Sequence, residues 1–184
     1  MDSWEDCKKV VDGVENARYK GFKAPEDAKE WLETGANYSF KTRKEFESGV
    51  YFDAETGSGK GVEISVTDER GNSLLSEVLP PAHINRRGKH WIFRDVTNNY
   101  GELLACRYAL EIANKQKVPK KIFGDSELVI KFWSRDLIKR RRLPKETVDL
   151  SQEVAKLRKE FEDKGGQILY LPGDENPADL GFHR

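Results

Sequence analysis

Val50-Tyr51-Phe52-Asp53-Ala54 is an apolar stretch interrupted by one carboxylate. Its β-branched and aromatic side chains predict a strand, and a charge on a central strand costs several kcal/mol unless it is paired or bound to a metal. Two arrangements satisfy this: an edge strand whose Asp53 faces water, or a central strand whose Asp53 has a cationic partner. Downstream, Val62, Ile64 and Val66 alternate on one side of a second strand, Asp68-Glu69-Arg70-Gly71-Asn72 is a turn, and Leu74 to Leu79 suggests a third strand. The opening therefore reads as an antiparallel meander. A helix follows from about Asn99, with Leu103, Leu104, Tyr108 and Ile112 on its apolar side. Lys121 to Gly124 is a short strand. Leu128, Val129, Phe132 and Trp133 mark another helix, Val154, Leu157 and Phe161 a third, and Gln167 to Leu171 a last strand, with a helical stub after Pro177. The fold class is α/β, a mixed five-stranded sheet flanked by helices.

The chain has 184 residues, and its 32 Lys and Arg balance its 32 Asp and Glu. Bulk positive charge is thus excluded as a means of holding polyanions, and any nucleic-acid contact must come from local clusters. The only cysteines, Cys7 and Cys106, are in no CxxC spacing, which excludes a disulfide framework and a thiolate zinc site. Neither a signal pattern nor an apolar run of about 20 residues is present, so the expectation is a cytoplasmic protein without a membrane partner.

The first residues form a pattern of their own. Trp4, Cys7, Val10 and Val11 recur at helical spacing, Arg18 to Lys23 suits a short strand, and Pro25-Glu26-Asp27 starts a helix carrying Ala28, Trp31 and Leu32. The expected organisation is a small α/β module over 1–35, a polar linker over 36–48 and a larger domain over 49–184.

Four carboxylates fall at element ends. Besides Asp53 there are Glu102 in the first turn of a long helix, Asp125 between a strand and a helix, and Asp179 before the stub. Alone, each has an ordinary explanation: a solvated edge, dipole complementation, an N-cap or a loop acid. Taken together, they can converge at one edge of a mixed sheet whose first strand is central, because strand ends of open α/β sheets are where sites form. Oxygen ligands without His or Cys select hard cations, Mg2+ or Mn2+ rather than Zn2+. Two such ions about 4 Å apart activate water and stabilise the leaving oxygen of a phosphodiester.

The stretches Tyr51-Phe52-Asp53-Ala54, Thr97-Asn98-Asn99-Tyr100-Gly101-Glu102, Phe123-Gly124-Asp125-Ser126 and Asn176-Pro177-Ala178-Asp179-Leu180-Gly181 resemble those of a type 1 ribonuclease H. The resemblance implies a ribonuclease H-like sheet and a monomeric endonuclease that cuts the RNA of an RNA/DNA hybrid, leaving a 3′ hydroxyl and a 5′ phosphate. It assigns Asp53, Glu102, Asp125 and Asp179 as catalytic residues and ligands of two Mg2+ or Mn2+ ions. Thr97, Asn98 and Asn99 are assigned to the hybrid, where only the 2′-hydroxyl distinguishes RNA from DNA. Glu175 stands nearest to the acid that relatives often carry shortly before the last Asp, whereas the loop Leu171 to Asn176 lacks the His that many of them place there. His183 lies beyond the motif.

Ser3-Trp4-Glu5-Asp6-Cys7, Val11-Asp12-Gly13, Ala17-Arg18-Tyr19-Lys20 and Glu26-Asp27-Ala28 resemble the hybrid-binding domain that precedes many type 1 enzymes. This likeness assigns Trp4 and Lys20 to the DNA strand, although the family's second Lys is Gly21 here and the usual first strand is missing. Lys139-Arg140-Arg141-Arg142 reads either as a solvated surface or as phosphate contacts without sequence preference. Two rival functions are a DNA-directed nuclease of the same architecture and a non-catalytic hybrid-binding protein.

Overall fold

The computed structural model describes residues 3–14, 17–22, 25–33, 35–36, 46–56, 61–116 and 121–179. It divides into two compact units, residues 1–45 and 46–184.

In the first unit, α1 (Trp4–Val11) begins where the Ser3 hydroxyl accepts from the Asp6 amide at 3.2 Å. Helix α2 (Pro25–Glu33) starts on a proline, whose missing N–H costs nothing at that position. The Arg18 guanidinium donates to the carbonyls of Gly35 and Ala36, at 3.1 and 3.2 Å, and so satisfies acceptors just past the end of α2. Trp31 is buried and meets the Phe22 ring at 5.5 Å. The strand expected over Arg18 to Lys23 is not formed in the described residues 17–22. Among the described residues no strand lies beside it, and the side chains of Arg18 and Phe22 tie the segment instead. Lys23 and most of the expected linker lie outside the described residues.

The second unit holds β1 (Gly49–Glu55), β2 (Val62–Thr67), β3 (His90–Ile92), α3 (Asn98–Lys115), β4 (Lys121–Gly124), α4 (Glu127–Lys131), α5 (Lys145–Asp163) and β5 (Gln167–Tyr170). The strands form one five-stranded mixed sheet in the order β3-β2-β1-β4-β5. Strands β3, β2 and β1 pair antiparallel, and β4 and β5 join parallel to β1. Strand β1 is therefore central, and Asp53 upon it is 4% exposed. One face of the sheet buries Phe52, Ala54, Val62 and Ile64 against Leu103 and Leu110 of α3, with Val154 and Phe161 of α5 in the same core. On the other face Tyr51 stacks on Phe123 at 4.7 Å, beside Ala178.

Leu74 to Leu79 is not a strand. Leu74, Leu75, Val78 and Leu79 are spaced as on a turn rather than in alternation, and a 3-10 turn over Leu75–Glu77 buries Leu75 while the others pack on the core. The third strand is instead His90–Ile92, with Trp91 opposite Glu63. Helix α4 is also shorter than its apolar pattern predicts. A 3-10 turn over Trp133–Arg135 follows it, closed by Asp136 at φ +57°. The stub expected after Pro177 falls on residues outside the described ones beyond Asp179. No described helix is long and apolar enough to cross a membrane.

Gly101 sets the distance between α3 and the sheet. A Cβ there would stand 2.3 Å from Val62 Cγ1 and 3.1 Å from the Ala54 Cβ, both buried. Gly101→Ala gains about 1 kcal/mol of helix propensity, but overpacking costs about 1–3 kcal/mol. Denaturant unfolding should show a net loss of stability; a variant as stable as the parent would show that the helix can retreat freely.

Candidate active site

Pairing between the parallel strands β1 and β4 ends at Tyr51 and Phe123. The Ala54 amide, beyond the last paired residue on that side, donates instead to Glu102 Oε1 at 3.2 Å. Glu102 reaches it because Gly101 lets α3 lie close, and Thr97 starts that helix by accepting from the Tyr100 amide at 3.2 Å. Asp125 directly follows β4, where Ser126 caps α4 by accepting from the Val129 amide. The N-cap role, the ordinary alternative for Asp125, is thus filled by its neighbour. Carboxylate oxygens of Asp53, Glu102 and Asp125 lie within 4.8 Å of one another.

These three acids open into a cavity of about 340 Å³. Asp179 lines the same cavity but stands outside the group of three. Its loop is fastened at several points. The Leu171 amide donates to the Gly124 carbonyl at 2.9 Å. The fully buried Asn176 donates through Nδ2 to the Phe52 carbonyl at 2.9 Å and accepts the Ala178 amide at 3.1 Å. Gly173 presses so close that a Cβ would meet Asp125 Oδ2 at 2.8 Å and Asp179 Oδ2 at 3.6 Å. The loop backbone thus holds the Asp179 carboxylate beside that of Asp125.

Of the other sequence candidates, Asn98 lines the cavity, Thr97 is the cap of α3, and Asn99 is exposed in its first turn. Glu175, in the 3-10 turn Gly173–Glu175, is half-buried and does not line the cavity; its neighbour Asp174 does. Glu55 is a further lining acid that the sequence reading passed over, although it stands two residues from Asp53 on one strand and so shares its face. In the first unit Trp4 is 58% exposed with its ring 5.3 Å from that of Tyr19, and the Lys20 ammonium lies 5.4 Å from the Phe22 ring centroid. The basic run forms an exposed 3-10 turn over Arg140–Arg142 beside a separate cavity.

Residues 2–32 match the family model for the ribonuclease H1 N-terminal domain. This chain resembles a type 1 ribonuclease H with a short amino-terminal domain. Three solved structures are similar in fold. Ribonuclease H1 of the archaeon Halobacterium salinarum is 19% identical, with 73% of this chain and 92% of that one covered and a TM-score of 0.45. The N-terminal RNase H domain of a Mycobacterium tuberculosis protein, fused to maltose-binding protein, is 18% identical over 73% of this chain and 90% of that one, at 0.46. A foamy viral protease-reverse transcriptase in complex with RNA/DNA hybrid is 16% identical over 89% of this chain and 21% of that one, at 0.42. No curated protein matches in sequence.

The chemistry of the side chains in the cavity bears on whether a cation belongs there. Asp53 Oδ2, Glu102 Oε2 and Asp125 Oδ1 are buried without a hydrogen-bond partner among the described residues. Every titratable side chain lining the cavity is an acid. Burial, and secondarily the negative charge of Asp125 and Asp179, pushes the Asp53 carboxyl up to about 8. Burial, followed by the charge of Asp53 and Asp125, pushes Glu102 up to about 9. Burial raises Asp125 as well. Oxygen donors so placed fit hard divalent cations, whose charge removes the repulsion.

A carboxyl raised in the folded state binds its proton where the unfolded chain has released it. Its stabilising contribution is complete below the unfolded value near 4 and is lost as pH rises through the folded value. In chelator, melting temperature should therefore fall between about pH 4 and about pH 9 through Asp53 and Glu102. Asp53→Asn should flatten that slope, and Mg2+ should stabilise the parent at pH 8 more than the variant. A slope unchanged by the substitution would place the titration elsewhere.

Proposed function

We propose that this chain is an endonuclease that hydrolyses the RNA strand of RNA/DNA hybrids at the cleft of Asp53, Glu102, Asp125 and Asp179. The observation that carries the reading is the set of three carboxylates within 4.8 Å of one another, two buried and Asp125 half-buried, each with a buried oxygen that has no donor among the described residues. Two divalent cations, Mg2+ or Mn2+, bound there supply activation of water and neutralisation of the leaving oxygen. Asp53 on β1 and Asp125 just after β4 would hold both ions. Glu102 completes one side from α3 and Asp179 the other from the fastened loop. Asn98 at the cavity wall offers an amide to the 2′-hydroxyl, while Thr97 and Asn99 set the helix start that presents it. Glu175 acts from the turn behind Asp174 on product departure. The products carry a 3′ hydroxyl and a 5′ phosphate.

In this reading residues 1–35 are a hybrid-binding module, 36–48 a linker and 49–184 the catalytic domain of a monomer. The match of residues 2–32 to a ribonuclease H1 N-terminal domain favours a hybrid over a DNA duplex as substrate. Trp4 and Lys20 hold the DNA strand, and the exposure of Trp4 leaves its ring free to meet a sugar or base. Lys139 to Arg142 add phosphate contacts that salt weakens.

The direct test incubates the protein with labelled RNA/DNA, RNA/RNA and DNA/DNA duplexes in Mg2+ or Mn2+. Only the hybrid should be cut, and Asp53→Asn should lower the rate by more than about a hundredfold. Tight hybrid binding with no cutting by the parent would favour a non-catalytic binding protein. Trp4→Ala should weaken hybrid affinity by about tenfold, the scale of one aromatic stacking contact, and leave turnover at saturating substrate unaltered. Unchanged affinity would remove Trp4 from the interface.

A further inference from the structure

The sheet face that carries Asp53 continues past the acidic cleft to the outer edge. Glu55 is paired in register with Glu63, and Glu63 with Trp91 of β3, so the three side chains share one face. Two strand spacings, about 10 Å, separate Glu55 from Trp91. Phe93, two residues on, is 83% exposed, and its ring lies 6.3 Å from that of Trp91, itself 36% exposed. Gly61 makes room for the indole: a Cβ there would stand 3.0 Å from Trp91 Nε1.

The unpaired charges described on the turn before β3 are basic. The Glu63 carboxylate is occupied by Lys89 at 3.7 Å and by the Asn85 amide at 2.8 Å. Arg86 and Arg87 are exposed on the turn before β3 and have no carboxylate partner among the described residues. The outer backbone of β3 is partly taken, since Ile84 bridges His90 and the Asn85 amide donates to the Lys89 carbonyl. An added protein strand has little to pair with, whereas flat rings beside free guanidinium groups suit bases and phosphates.

We propose that the β3 edge is a binding track for single-stranded polynucleotide running out of the cleft, with Trp91 and Phe93 stacking on bases and Arg86 and Arg87 meeting phosphates. It deepens the hydrolase reading, on which it rests: the preferred substrate is a hybrid with a single-stranded extension, such as a hybrid junction, rather than a blunt one. Lys89, between the acids and the rings, separates the two parts of the track.

The test measures binding of blunt and extended hybrids by fluorescence anisotropy, with Ca2+ in place of Mg2+, and with the extension placed on the RNA strand in one arm and the DNA strand in the other. The extension should tighten binding by about tenfold in at least one arm. Phe93→Ser should abolish that gain while blunt-hybrid binding and cutting in Mg2+ stay as in the parent, and Arg86→Gln with Arg87→Gln should lower its salt dependence. Equal affinity for blunt and extended hybrids, or a gain that survives Phe93→Ser, would overturn the proposal. So would sedimentation showing a dimer that Phe93→Ser converts to a monomer, because the patch would then be a self-association surface. Binding is read apart from cutting, so a parent that cuts no hybrid in Mg2+ overturns the hydrolase reading without entering the comparison of the two hybrids.

Discussion

Glu102 accepts the amide of Ala54 across the gap between α3 and the central strand, and that contact brings its carboxylate beside those of Asp53 and Asp125. It requires a helix lying closer to the sheet than side chains normally allow, which Gly101 provides against Val62 and Ala54. It also leaves the second Glu102 oxygen buried with those of Asp53 and Asp125 and without a donor. A hydrogen bond to a charged group contributes about 1.5–3 kcal/mol, less than the several kcal/mol lost when like charges are buried together. The surrounding apolar core offsets the remainder, and a divalent cation removes its cause.

The four acids are held with different firmness. Asp53 lies on β1, where pairing with β2 continues through it, and Asp125 directly follows β4, which is paired to β1 on one side and β5 on the other. Asp179 is carried by a loop tied back through Leu171 on Gly124, Asn176 on Phe52, and the contact of Gly173 with Asp125.

Much of the architecture was readable from local pattern. Val62, Ile64 and Val66 alternate, Val154, Leu157 and Phe161 follow helical spacing, and a lone Asp in an apolar strand already posed the question of a cation. The third strand was not readable, because Leu74 to Leu79 is more apolar than His90–Ile92 and only pairing with β2 decides which becomes a strand. The strand expected at Arg18 to Lys23 failed for the same reason, since strands need partners and helices do not. Convergence of Asp53, Glu102 and Asp125 was legible from their places at element ends. The lining role of Asp174 and the tie made by Asn176 depend on contacts between residues far apart in sequence, for which local pattern carries no signal, whereas Glu55 was legible from its place two residues from Asp53 on one strand.

Asn176 joins Phe52 across 124 positions. Ordering such a distant pair carries a loop-closure cost that local helix formation does not, so the cleft is among the later parts of the molecule to be completed. A chain emerging from the ribosome can pair β1 with β2 and coil α3 well before residue 176 is made. Until then it holds an incomplete acid set, lacking Asp179 and the loop that carries it.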